Sequence, residues 1–331
     1  MNVVLICQVG AKVGLGHLSR VLSLALSLQK NSLVKVSLFI QGNKTPKKEL
    51  GLIPHHFFQC LHDWILALTQ LHEKSKIDFV VFDMSPTIPL DLFSNALSKI
   101  KKMGIKIIGI DGFAYDTYCE WIHAPTFYVD QKKIQKTKCP VYYGWDSYLL
   151  PKKVEKKHCD FSTWYQNVLI LTGGSDVAKL GERWPLLIDA QLPLNATIHW
   201  VKGPYAQHPI IPKKTRLSWK IHTSPNSLSE LMCCANLALT VYGVSFFELI
   251  SYHVPTVVYS PYSDRDLSEL SQIIDEKIAI VAKDENDAIL QLCRFTKNRT
   301  TAQFYCEQSK NRFHSDGAEL FAKRIYDAGE L

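Results

Sequence analysis

The sequence predicts an α/β protein made of two doubly wound, Rossmann-type domains facing each other across a cleft. Three observations lead to that expectation. Short apolar runs alternate with segments of helical periodicity, first between Val3 and Asp111 and again between Asn167 and Arg294. The rhythm breaks over Tyr142 to Cys159, where Pro151 and a lysine-rich stretch carry no clear period. A chain of 331 residues is also longer than one core usually organises. Boundaries are expected at 1–150 for the first domain and 160–315 for the second. A last helix over 316–331 is expected to pack back on the first domain.

The elements follow in order. Val3 to Val9 is continuously apolar, as a strand covered on both faces should be. A glycine-bearing loop, Gly10 to Gly16, precedes Leu18, Val21, Leu22, Ala25, Leu26 and Leu28 at helical spacing. Val34 to Ile40 is a second strand. Trp64 to His72 and Leu92 to Met103 are expected helices, and Phe79 to Phe82 and Lys106 to Ile110 are strands ending at Asp83 and Asp111. In the second half, strands are expected at Asn167 to Leu171, Ala196 to Val201, Leu237 to Thr240 and Thr256 to Tyr259. Helices are expected at Ser227 to Cys234, Ser245 to Tyr252, Asp287 to Arg294 and Gln303 to Tyr326, the last with a break near Ser315 to Gly317.

Composition narrows the function classes. Hydrophobic residues make up 47% and charged residues 21%, which is ordinary globular usage. No apolar run reaches the ~20 residues of a membrane span. Met1 to Cys7 has no basic flank and reads as a buried strand rather than a signal peptide, so a cytoplasmic location is expected. Nine cysteines without a C-x-x-C pair argue against a zinc site or a disulfide framework. The net charge of +7 is spread over several lysine clusters. These are solvated faces or an attraction to an anionic partner, a sugar nucleotide or an anionic membrane surface. Nucleic acid is not an expected partner, because the charge is dispersed and no recognition module is present.

In open parallel sheets ligands bind beyond the carboxyl ends of the strands, so the residues just after each strand are the informative ones. Gly14 and Gly16 allow a close approach of backbone to ligand. A dinucleotide fingerprint would need a third glycine where Ser19 stands and an acid where Gln41 and Gly42 stand, so no NAD or FAD cofactor is expected. His17, at the start of a helix, is a candidate general base or a capping and packing histidine. Arg20, one turn on, faces a phosphate or solvent. Thr172-Gly173-Gly174-Ser175-Asp176 is a phosphate loop or an ordinary turn. Tyr242, Gly243, Val244 and Ser245 form a glycine turn in which Ser245 is expected to cap the next helix and free amides to suit a diphosphate. Glu248 is a ribose ligand or a solvated acid. Asp83 and Asp111 are acids at the cleft or caps. The remaining histidines show no metal-site spacing, and no G-x-S-x-G, H-E-x-x-H or P-loop sequence occurs.

In their order these motifs, with Tyr143-Gly144-Trp145-Asp146-Ser147-Tyr148-Leu149-Leu150 and Asp316-Gly317-Ala318-Glu319, resemble the UDP-2,4-diacetamido-2,4,6-trideoxy-β-L-altropyranose hydrolase family of bacterial pseudaminic acid synthesis and the related spore-coat polysaccharide proteins. That group is similar to the glycosyltransferase that adds N-acetylglucosamine to lipid I. The resemblance runs from Val3 to Ala328. It implies a GT-B fold with UDP held mainly by the second domain, and no metal. It implies His17 as the base that activates water to expel UDP with inversion. Gly173, Gly174 and Ser175 then border the cleft, Tyr242, Gly243, Val244 and Ser245 hold the diphosphate, and Glu248 holds the ribose.

Two positions depart from the family. Asp83-Met84-Ser85 stands where the hydrolases read Asp-His-Tyr, and Asp264-Arg265-Asp266 stands where they carry an Asn-Gln pair. The expected activity is a UDP-sugar hydrolase that releases a free amino-deoxy sugar for nonulosonic acid synthesis. The alternative is an inverting GT-B glycosyltransferase of surface polysaccharide or glycan synthesis, using the same base on an acceptor hydroxyl. That alternative carries peripheral membrane contact through a basic, apolar patch at Lys44 to Lys48 and Ile53 to Phe58. A third reading is a non-catalytic nucleotide-sugar binding module.

Overall fold

In the first strand, β1 (Asn2–Gln8), Val3, Leu5 and Cys7 belong to one face and Val4 and Ile6 to the other, and all five are buried. A strand apolar on both faces requires a helical layer on each side of its sheet. The computed structural model describes residues 1–10, 13–43, 48–84, 90–151, 166–225, 227–310, 312–313 and 316–330. Ser85 and the lysines at 44–47 and 152–157 lie outside these residues, as does the side chain of Arg265.

After β1 the chain forms α1 (Gly16–Leu28), β2 (Lys35–Gln41), β3 (His55–Phe58), α2 (Leu61–Lys74), β4 (Phe79–Asp83), α3 (Leu90–Lys102), β5 (Lys106–Ile110), β6 (Trp121–His123), α4 (Gln131–Lys136) and β7 (Val141–Tyr142). It continues as β8 (Gln166–Leu171), α5 (Leu180–Gln191), β9 (Ala196–Lys202), β10 (Ser218–Thr223), α6 (Ser229–Cys234), β11 (Leu237–Val241), α7 (Val244–Ser251) and β12 (Thr256–Tyr259). The last elements are α8 (Ser263–Asp275), β13 (Ile280–Ala282), α9 (Glu285–Lys297), α10 (Arg299–Lys310) and α11 (Gly317–Ala328). Two compact units result, residues 1–151 together with 314–331, and residues 152–313.

The first unit is a parallel sheet in the order β3-β2-β1-β4-β5-β6-β7. Val3, Leu5 and Cys7 pack with Leu18, Val21 and Ala25 of α1 and with Phe321 and Ile325 of α11. On the opposite face Val4 and Ile6 pack with Trp64 and Leu68 of α2 and Leu97 and Ile100 of α3. The last helix is tied to the first: the Tyr326 hydroxyl lies 3.0 Å from the carbonyl oxygens of both Ser27 and Leu28 at the end of α1 and shares its one hydrogen between them.

The second unit is a parallel sheet in the order β10-β9-β8-β11-β12-β13. Val168 and Ile170 pack with Trp184 and Ile188 of α5 and Leu292 of α9, while Leu169 and Leu171 pack with Met232 and Leu249. Both units are thus doubly wound and Rossmann-type. In each, the strand order reverses beside its first strand, between β1 and β4 and between β8 and β11.

Several elements lie beyond the sequence reading. β3, β6, β7 and β13 are short, and β10 (Ser218–Thr223) is a further strand, alternating exposed and half-buried over most of its length. α5 contains Pro185, which argues against a helix. Pro185 has no N–H for the carbonyl of Gly181, and the Ile210 N–H, at 2.8 Å, takes that carbonyl instead. Tyr148 and Leu149 are buried in the first unit.

Candidate active site

The loop after β1 is closed by glycine. Gly14 has a φ of +76°, a conformation that side-chain-bearing residues rarely adopt, and its N–H donates to the Gly10 carbonyl at 2.7 Å. Gly16 then opens α1 and places His17 in the first turn. Parallel pairing sets Cys7 of β1 opposite Asp83 of β4. The loop after β1 and the end of β4 therefore flank the point where the strand order reverses, where an open α/β sheet offers its crevice.

There His17 Nδ1 lies 2.6 Å from Asp83 Oδ1. Asp83 is fully buried. Burial alone would raise its pKa. The charges of Arg20 and His17 and the hydrogen bonds of both together outweigh it, and the carboxyl is held below its usual range. An ionised Asp83 only accepts, so Nδ1 carries the proton and donates it. The His17 lone pair is then on Nε2, and no protein group among the described residues bonds to it. His17 is not the cap of α1, which has no side-chain cap.

Arg20 grips Asp83 with two hydrogen bonds, Nε to Oδ2 at 2.9 Å and Nη2 to Oδ1 at 2.6 Å, and reaches Asp111 Oδ2 with Nη1 at 3.0 Å. Burial opposes the guanidinium charge, but the two carboxylates raise its pKa above the ordinary value. Three of its N–H groups are thus engaged by carboxylates. Asp83 and Asp111 are brought together by this one guanidinium. The approach of Arg20 Nη2 to His17 Nδ1, at 3.1 Å, sets two donors side by side over Asp83. Cys7, paired with Asp83, is buried, and burial and then the Asp83 charge push its thiol pKa well up.

The second unit places two loops at its own reversal point. After β8 come Thr172, Gly173, Gly174 and Ser175. The hydroxyls of Thr172 and Ser175 are buried without a hydrogen-bond partner among the described residues. Buried hydroxyls in that state are unusual and are open to a ligand or water. Asp176 has a structural task, accepting the Leu180 and Gly181 N–H groups at 2.9 and 2.8 Å at the start of α5. Gly203 was not legible in the sequence as a site residue. A Cβ there would lie 2.4 Å from the Gly174 carbonyl oxygen and 2.6 Å from that of Gly173. The Tyr205 N–H donates to the same Gly174 oxygen at 3.0 Å. The loop is therefore braced from β9's side by a residue that must be glycine.

After β11, Gly243 is the N-cap of α7 and Val244 its first residue; there is no side-chain cap. Ser245 is thus inside the first turn rather than capping it. The amides that open the helix, at Val244 and Ser245, have no intrahelical partner and suit an anion. Tyr242 differs: its N–H donates to the Tyr259 carbonyl at 2.8 Å and its hydroxyl to Glu269 Oε2 at 3.1 Å, so neither donor is left for a diphosphate. Glu248 lies one turn into α7, partly buried. Asp266 of α8 is buried and accepts the Ser260 hydroxyl at 2.6 Å.

Among the described residues no group of three or more His, Cys, Asp or Glu side chains could hold a metal ion, and no helix is long and apolar enough to cross a membrane.

No family model matches the chain, and no curated protein matches it in sequence. Solved structures match over its length. Phytolacca americana UGT2 complexed with UDP-2-fluoro-glucose and pterostilbene has a TM-score of 0.69 at 14% identity, covering 100% of both chains. The Staphylococcus aureus MnaA–UDP structure has a TM-score of 0.68 at 12% identity, covering 100% of this chain and 97% of that one. Acinetobacter baumannii MurG has a TM-score of 0.64 at 15% identity, covering 99% of this chain and 100% of that one. At these identities the likeness shows the fold. Two parallel-sheet Rossmann-type domains with these neighbours are a GT-B fold.

Proposed function

We propose that the protein is an inverting glycosyltransferase that moves a sugar from a nucleotide donor, a UDP-sugar, to a hydroxyl nucleophile, with His17 as general base. One observation carries this reading. The Nδ1–H of His17 is committed to an ionised, buried Asp83, which leaves the lone pair on Nε2. Nε2 takes the proton of the nucleophilic hydroxyl as its oxygen bonds to the anomeric carbon. The bond from that carbon to the nucleotide oxygen breaks, and its electron pair leaves on the diphosphate. Asp83 stabilises the imidazolium so formed. A single displacement inverts the anomeric centre. For the leaving diphosphate, the amides of Val244 and Ser245 at the N-terminus of α7 offer partial positive charge. Gly173, Gly174, Ser175 and Glu248 are proposed to contact the rest of the nucleotide, and Gly14 and Gly16 to shape the His17 loop around the substrate. Nucleotide sugars are made in the cytoplasm, and the proposal places the protein there.

Transfer is favoured over hydrolysis by the neighbours MurG and UGT2, the latter complexed with both UDP-2-fluoro-glucose and pterostilbene. The hydrolase reading, with release of a free amino-deoxy sugar for a pseudaminic-type pathway, keeps the support of the residues around His17, Tyr148 and Asp316. It uses the same base on water. The test is to follow UDP release from UDP-sugars with and without sugar acceptors and to read the anomeric configuration of the product by NMR. Acceptor-dependent release with inversion is expected, and retention of configuration would exclude the mechanism. Release without any acceptor would select hydrolysis.

A further inference from the structure

The geometry points to Asp111 as the residue that recognises the acceptor, by accepting a hydrogen bond from a second hydroxyl or an amine beside the hydroxyl that His17 deprotonates. The acceptor is then a polyhydroxylated or amino-bearing molecule of the sugar class, not a monofunctional alcohol or phenol. This inference rests on the transferase reading above.

Asp83 and Asp111 share one guanidinium but differ in state. Asp83 is fully buried and bonded by both His17 and Arg20, whereas the Asp111 side chain is 46% exposed and meets Arg20 through Oδ2 alone. Its Oδ1 has no protein partner among the described residues. The backbone of Asp111 is held in the left-handed region, with a φ of +54°. Its N–H donates to the His123 carbonyl at 3.1 Å, and its own carbonyl accepts from the Phe113 N–H at 2.9 Å. Aspartate tolerates this conformation better than most residues, yet strain of this kind persists only where the surroundings enforce it.

Charge adds a second constraint. Two carboxyl groups share one guanidinium here and set acceptor oxygens beside His17. A phosphate or carboxylate brought there is repelled, while a hydroxyl or an ammonium finds an acceptor. Asp111 is fixed to the same guanidinium that approaches His17 Nδ1 at 3.1 Å, so a ligand hydroxyl at Nε2 and a neighbouring donor at Oδ1 belong to one small molecule.

The experiment compares the wild type, Asp111→Asn and His17→Ala with UDP-glucose and UDP-N-acetylglucosamine as donors. N-acetylglucosamine and glucosamine are the polyol acceptors, and 2-phenylethanol is the monofunctional one. Asn is isosteric and tolerates the same backbone, and thermal unfolding checks that the variant folds. UDP release stimulated by the sugars and not by 2-phenylethanol is expected. Asp111→Asn is expected to raise KM for the sugar roughly tenfold or more, with kcat and the donor KM changed only a few-fold, as suits the loss of a charge-assisted hydrogen bond. No stimulation by either sugar, equal use of 2-phenylethanol, or an unchanged acceptor KM in Asp111→Asn would overturn the inference. Release that persists in His17→Ala would overturn instead the reading on which it rests.

Discussion

His17 Nδ1 and Asp83 Oδ1 meet at 2.6 Å across 66 residues of sequence. Their contact depends on β1 and β4 being neighbours, with Cys7 paired to Asp83. It fixes the tautomer of the proposed base. Asp83→Asn should break that assignment, because an amide can donate to Nδ1 and send the proton to Nε2. A fall in kcat of about 10³–10⁴ is expected, with the protection that UDP gives against thermal unfolding retained.

Arg20 compensates the buried Asp83 charge. Arg20→Met should destabilise the protein by about 3–5 kcal/mol in urea unfolding, the usual cost of leaving one partner of a buried pair alone. The pH dependence should change sign as well. In the wild type the Asp83 pKa is lowered, so its contribution is present above the unfolded carboxyl value and is lost as pH falls through the folded value. Without Arg20 burial dominates, and the variant should lose less stability than the wild type on acidification. An unchanged acid limb in Arg20→Met would contradict this.

Much of the site was legible because strand ends mark it. His17, Asp83 and Asp111 each follow a short apolar run, and Gly173, Gly243 and Ser245 do so in the second half. What sequence could not give was partnership. Arg20 sits three residues from His17 on α1, and only the parallel order of β1, β4 and β5 shows that it joins two aspartates. Gly203 lies beyond β9 with no motif around it, and its task appears only when the Gly173 and Gly174 carbonyls are seen against it. Ser245 was read as a cap because the pattern glycine-x-serine suits one; Gly243 holds that position with its backbone. Tyr242 carries a motif-like setting but spends both donors within the protein.

Gly203→Ala should act on the second unit. The added methyl meets two carbonyl oxygens at under 3 Å, so the 173–175 loop must shift, at an overpacking cost of about 1–3 kcal/mol. Weaker UDP binding by calorimetry is expected, without loss of the first unit's fold. Unchanged UDP affinity would separate this loop from the nucleotide.

His123 provides a pH-sensitive joint between β6 and α11. Its ring stacks on Phe321 with centroids 4.1 Å apart, and Nε2 bonds the Ser147 carbonyl at 2.7 Å. Burial pushes its pKa down to about 3. A depressed histidine favours the neutral form in the folded state. Its contribution is therefore intact above the unfolded histidine value, near 6.5, and is lost as pH falls toward 3, at up to ~1.4 kcal/mol per pH unit. His123→Gln, which cannot titrate, should flatten the stability curve between pH 6 and 4. A slope equal to the wild type's would assign the acid sensitivity elsewhere.

The most direct test of His17 as the base compares UDP release by the wild type and His17→Ala at saturating UDP-sugar and acceptor, alongside UDP binding by each. The expected result is a loss of about 10²–10⁴ in kcat with UDP affinity unchanged, the share general base catalysis usually supplies. Equal turnover by the two proteins would contradict it.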